Sequence, residues 1–147
     1  MKAGHKFFRL GLAVISVLFL VIPLSLCSCG NSFPYQGSLN GNWSGQLTVL
    51  SKSVPIGGTM SINVDSKGAV TGTISSTSGS ANPAAISGQV DSNGNLTGSV
   101  TIVISATNFI SDWKGTMTAS GKNLSMKGNW TSQHGSGTFT GTGTASK

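Results

Sequence analysis

The sequence predicts an all-β fold, an eight-stranded antiparallel up-and-down meander barrel preceded by an N-terminal signal peptide. Three observations carry that expectation. From residue 39 onward apolar and polar side chains alternate along the chain, and almost no helical pattern interrupts them. A turn-and-strand unit repeats 26 residues apart, Asp65-Ser66-Lys67-Gly68-Ala69-Val70-Thr71-Gly72-Thr73 being matched by Asp91-Ser92-Asn93-Gly94-Asn95-Leu96-Thr97-Gly98-Ser99. Glycine recurs on the apolar face, at Gly41, Gly45, Gly72, Gly88, Gly98 and Gly128 among others, where the coiling of a narrow closed barrel accounts for it.

The first element, residues 1–28, has the three parts of an export signal. Lys2, Lys6 and Arg9 give a positive start, 10–22 is apolar apart from Gly11 and Ser16, and Pro23 breaks any helix. The apolar run is shorter than the roughly 20 residues a membrane-spanning helix needs, which favours cleavage over a permanent span. Leu26-Cys27-Ser28-Cys29-Gly30 resembles the lipobox of bacterial lipoproteins, with Leu at minus three and a small Ser at minus one. That resemblance implies a diacylglycerol on Cys29, cleavage before it and a further acyl chain such as palmitate on the new amino terminus; two or more chains anchor stably. Gly30 stands where an Asp would signal inner-membrane retention, so the outer membrane is the expected destination in a Gram-negative cell. Otherwise the expected place is the outer face of the plasma membrane. Loss of the three basic residues of the signal lowers the formal charge from +6 to +3.

Residues 29–38 follow as lipidated cysteine and flexible tether, rich in Gly, Asn, Ser and Pro. The barrel domain occupies 39–147, with strands read at 39–50, 58–65, 68–75, 85–91, 94–105, 109–119, 123–132 and 136–144. Leu39, Trp43, Leu47, Ile62, Val70, Leu96, Trp113, Met117, Trp130 and Phe139 mark the face turned to the core, and Thr, Ser, Asn and Lys the other. In a meander the repeated short turns all lie at one end, where the tether also enters. The connections at 51–57, 76–84, 106–108 and 133–135 then lie at the other end, away from the membrane. Barrel mouths and loops of this kind carry binding sites. The candidate ligand-binding residues are therefore Val54, Pro55, Ile56, Asn82, Pro83 and His134, with ordinary loops as the competing reading.

The inventory weighs against catalysis. The chain holds three acids, Asp65, Asp91 and Asp112, no Glu, and two histidines, His5 and His134. A hydroxyl nucleophile would need His134 as its base with an acid in reach. No cofactor and no metal site is expected. The six lysines of the mature chain are scattered and joined by no Arg, which does not describe a nucleic-acid surface. A barrel spanning the outer membrane is a second alternative, but aromatics make up only 7% of the chain, too few for two interfacial girdles.

Gly41-Asn42-Trp43 resembles the Gly-x-Trp that opens lipocalin and avidin barrels, and Gly68-Ala69-Val70-Thr71-Gly72-Thr73 is similar to a glycine-turn-strand segment of avidins. The resemblance implies a calycin-like barrel. It does not extend to biotin binding, because the inner face reads as apolar and glycine, without the convergent polar groups of such a site. The expected protein is a lipid-anchored envelope lipoprotein whose barrel is a non-enzymatic binding module. Two readings of its partner stay open: a small apolar ligand in the interior, or an envelope protein met by the distal loops of a solid barrel, as in lipoproteins that inhibit hydrolases.

Overall fold

The computed structural model describes residues 32–77, 83–104 and 107–146, with the backbone alone at 103, 104 and 107–109. Cys29 and Asn82 lie outside the described residues. Eight strands follow one another: β1 (Gly37–Val49), β2 (Lys52–Val64), β3 (Ala69–Ser76), β4 (Ala84–Val90), β5 (Asn95–Ile104), β6 (Thr107–Ser120), β7 (Asn123–Ser132) and β8 (Gly135–Ala145). Each pairs antiparallel with the next, and β8 returns to β1, closing the barrel. The meander and its closure are as the alternation predicts. Closure leaves no exposed sheet edge along the wall, the hazard of a flat Thr-rich sheet.

Inward positions hold the core. Leu39 on β1, Ile62 on β2, Val70 on β3, Val90 on β4, Leu96 on β5, Met117 on β6 and Leu124 on β7 are almost wholly excluded from water. These residues cluster in the half of the barrel nearest the β2–β3, β4–β5 and β6–β7 turns, which we call the base. Phe33 and Tyr35 seal it from below. Their rings meet edge to face at 5.6 Å, and both pack against the core. The Gln36 carbonyl accepts a hydrogen bond from the Ser146 amide at 2.9 Å, so both ends of the described chain sit at the base. Strand β1 begins at Gly37, and the segment expected to be a tether from 29 to 38 is thus seated on the barrel from Phe33 onward. Two aromatic side chains in a run of Gly, Asn, Ser and Pro are what seat it.

The repeated turns explain their own recurrence. In each, one carboxylate oxygen of the leading Asp accepts two backbone N–H bonds, from Lys67 and Ala69 onto Asp65 and from Asn93 and Asn95 onto Asp91, at 2.8 and 2.9 Å. Gly68 and Gly94 supply the left-handed residue, with φ of 82° and 83°. Asp91 gains one more bond, from the Asn95 side-chain amide at 2.8 Å. That bond, followed by the backbone amides, holds the Asp91 carboxyl below its ordinary value of 3.8. A carboxyl with a depressed pKa in the folded state stabilises the fold above its unfolded value and loses that contribution as pH falls through the folded one. We expect acid titration of the wild type to weaken the barrel below about pH 4. Asp91→Asn should flatten that part of the curve, and a curve unchanged by the substitution would refute the assignment.

The far end differs from the expectation in one respect. The connection expected at 51–57 is a two-residue turn at 50–51, and the one expected at 133–135 is a two-residue turn at 133–134. Val54, Pro55 and Ile56 belong to β2, paired with Leu47, Gln46 and Gly45. Pro55 invited the loop reading. It is tolerated because its backbone faces the β3 side beyond the last β2–β3 pair, Gly58↔Ser76, where no ladder bond is lost. What distinguishes this end is strand length. The β1–β2 hairpin is paired out to Val49↔Lys52, whereas β1 leaves β8 at Leu47↔Gly135. The β5–β6 hairpin is paired out to Ile104↔Thr107, whereas β5 leaves β4 at Val100 and β6 joins β7 only at Ser111. Two hairpins on opposite sides of the ring therefore overhang the mouth.

Candidate functional site

The mouth opens into a cavity of about 80 Å³. Its walls follow from strand periodicity: residues two apart on one strand face inward at successive depths. The deeper tier is Trp43, Met60, Ile74, Ile86, Val100, Trp113, Trp130 and Phe139. The outer tier is Leu47 on β1, Ile56 on β2, Ser76 on β3, Ile102 on β5, Ser111 on β6 and Ser132 on β7.

Four aromatic rings form half of the deeper tier, and bonds to neighbouring strands fix two of them. Trp43 meets Trp130 edge to face at 6.1 Å, and Trp113 meets Phe139 in the same way at 5.6 Å. The Trp43 indole N–H donates to the Ser75 carbonyl at 3.2 Å, and that of Trp130 donates to the Ser44 carbonyl at 3.0 Å. The Trp130 ring starts on β7, crosses β8 over Gly137 and ends on β1; a side chain at Gly137 would collide with its Nε1. The ring of Trp113 lies in the same manner against Gly98. Inward glycines were expected to serve coiling alone. In this half of the barrel they also make flat seats for rings, the arrangement in which an aromatic covers a strand glycine.

The polarity of the mouth is asymmetric. Leu47 and Ile56 make an aliphatic wall on β1 and β2, while Ser111 and Ser132, paired across β6 and β7, put two hydroxyls on the opposite wall. Ser111 is buried, at 5% exposure. Ser132 Oγ donates to the Gly135 carbonyl at 3.3 Å and accepts from the His134 amide. Trp113 Nε1 is the one buried side-chain polar atom without a partner among the described residues. Among the described residues the cavity lining carries no charged or titratable side chain. These groups offer apolar contact and hydrogen bonding.

The sequence-predicted residues fall as follows. Ile56 lines the cavity and Val54 stands above it on the overhang, 41% exposed. Pro55 and Pro83 are exposed outside the cavity, and Asn82 is not among the described residues. His134 occupies the β7–β8 turn, its carbonyl accepting the Thr48 amide at 2.6 Å, so it ties that turn to β1. The three serines were missed, and with them the polar half of the mouth; the inner face is not wholly apolar and glycine. Register could have found them, because Ser76 lies two beyond Ile74, Ser111 two before Trp113 and Ser132 two beyond Trp130.

No family model matches the chain, and no curated protein matches it. Among solved structures, the crystal structure of rhizavidin aligns with a TM-score of 0.44 and 22% identity, over 74% of this chain and 85% of that one.

Proposed function

We propose that the protein is a non-enzymatic binding module whose site is the barrel mouth, and that it takes an uncharged, largely apolar group of a few carbons. The observation that carries this reading is the cavity itself, aromatic and aliphatic with serine hydroxyls at its outer tier and, among the described residues, no charge. A carboxylate or ammonium placed there would lose hydration without a countercharge, which costs several kcal/mol. Size sets a second condition. At about 80 Å³ the cavity is smaller than the roughly 150 Å³ engineered cavity that admits benzene, so a whole lipid chain does not fit inside it.

The test compares 1-propanol with propionate on the purified protein, using tryptophan fluorescence and thermal melts. Propanol should perturb the floor tryptophans and raise the melting temperature, and propionate should do neither. Ile56→Asp, which puts a charge on the half-buried cavity wall, should abolish the propanol response. Tryptophans indifferent to propanol would sink the proposal.

We also propose that Cys29 is lipidated and holds the module on the envelope. The lipobox supports this, and so does the entry of the chain at the base, which turns the mouth away from the anchor. Cys29→Ser is expected to move the protein from the membrane to the soluble fraction; an unchanged membrane fraction would overturn the anchor.

A further inference from the structure

The tryptophans of the cavity share one seating plan. Trp43 is paired with Gly58, which is paired in turn with Ser76, and its indole N–H donates to the carbonyl just before, that of Ser75. Trp130 repeats the plan with Gly137, Gly45 and the Ser44 carbonyl. Trp113 has the same seat, Gly98 paired with Gly88, and again a serine before it, Ser87. Its N–H nevertheless makes no bond among the described residues, although the side chain is only 4% exposed. The matching acceptor is not far off: a β-carbon built on Gly98 would lie 2.4 Å from both the Ser87 oxygen and Trp113 Nε1. Leaving a buried donor unpaired is costly, so such a group in a cavity wall calls for a partner. Ser111 adds a buried hydroxyl on the same strand, one tier nearer the mouth.

We infer that Trp113 is the specificity-determining donor of the cavity, and that the occupant is a small neutral group bearing an acceptor oxygen, as in a ketone, ether or ester. The inference rests on the reading of the cavity above and adds the chemistry its occupant must carry. An indole N–H donates and never accepts, so the atom that meets it is an acceptor. A hydrocarbon of the same shape would leave the donor buried and unpaired. A carboxylate could accept the bond, but among the described residues no cation lines the cavity to offset its dehydration. Trp43 and Trp130 are held to the wall by their bonds, whereas Trp113, off its carbonyl, can tilt from Gly98 and present its N–H to an occupant. The oxygen then points to β6, where Ser111 offers a second polar group, and the carbons point to Leu47 and Ile56 across the mouth.

The experiment compares acetone with isobutene, which has nearly the same shape but a methylene group in place of the oxygen. Nuclear magnetic resonance follows the indole N–H signals of the purified protein, that of Trp113 being assigned by its loss in Trp113→Phe. Both probes should shift the signals of Trp43 and Trp130 saturably, and acetone alone should move the Trp113 N–H to lower field, as a new hydrogen bond does. Trp113→Phe, which keeps a ring in the seat, should weaken acetone about tenfold, as loss of about 1.4 kcal/mol of affinity does, and leave isobutene bound at least as tightly. The wild-type shift decides the question even where the variant is unstable. If isobutene binds but acetone leaves the Trp113 signal in place, or if Trp113→Phe weakens both probes alike, the inference is overturned and the cavity reading stands. If neither probe shifts any indole signal, both are rejected.

Discussion

Gly137→Val is expected to lower the stability of the barrel by about 3 kcal/mol or more, against the 5–15 kcal/mol typical of a whole domain. A β-carbon at this position meets the Ser44 carbonyl and the Gly45 backbone of β1 as well as Trp130 Nε1. Backbone cannot swing aside as a flexible side chain does, so either β8 withdraws from β1 or the ring leaves its seat. Both outcomes break the indole bond to Ser44 that spans β8. Urea denaturation followed by tryptophan fluorescence would register the loss as a lower midpoint. Gly121→Ala is the control: nothing lies within 4 Å of its β-carbon, and only the left-handed φ of 62° opposes it, at about 1 kcal/mol. Equal losses for the two would show that ring seating contributes nothing.

Trp113→Ala is expected to cost about 3–5 kcal/mol, the range for truncating a buried aromatic. The ring fills the space against Gly98 and meets Phe139 edge to face, and neither neighbour can expand to replace it. The slot left behind is flat, apolar and joined to the cavity. Added indole should therefore bind the folded variant and recover part of the lost melting temperature in proportion to the logarithm of its concentration. Wild type should show no such recovery. Trp113→Phe keeps a ring and removes a buried N–H that has no partner, so it should cost far less than the alanine change. A melting temperature for Trp113→Ala that is insensitive to indole would mean that the wall collapses rather than leaving a site.

Much of this architecture was legible in the chain because strand periodicity is strict. Strand β7 is bounded by Asn123 and Ser132, where the alternation places it, and the base turns carry Asp and Gly where their hydrogen bonds and φ values require them. The mouth was harder to read for two physical reasons. Pro55 normally ends a strand, and only its place beyond the β2–β3 ladder makes it harmless, which is a tertiary fact. The inward serines look like ordinary polar positions unless the register of each strand is carried to its end, past the last apolar residue. Trp43, Trp113 and Trp130 were assigned to the core, and they do pack there, yet their other faces floor the cavity; sequence spacing cannot distinguish a ring covered on both sides from one covered on a single side.

Closure of the ring also has a kinetic side. The register that completes the wall joins Gly37 to Ala145, and the Trp130–Ser44 bond joins residues 86 positions apart. Contacts so distant along the chain form slowly, because the loop entropy between them is lost before they reward it. During synthesis the first seven strands can pair only with their sequence neighbours, leaving β1 and β7 as open edges. The last eleven residues of sheet, β8, therefore act as a latch: until they arrive there is neither a mouth nor a protected edge, and a chain truncated before Gly135 would present to its surroundings an adhesive, curled sheet in place of a closed barrel.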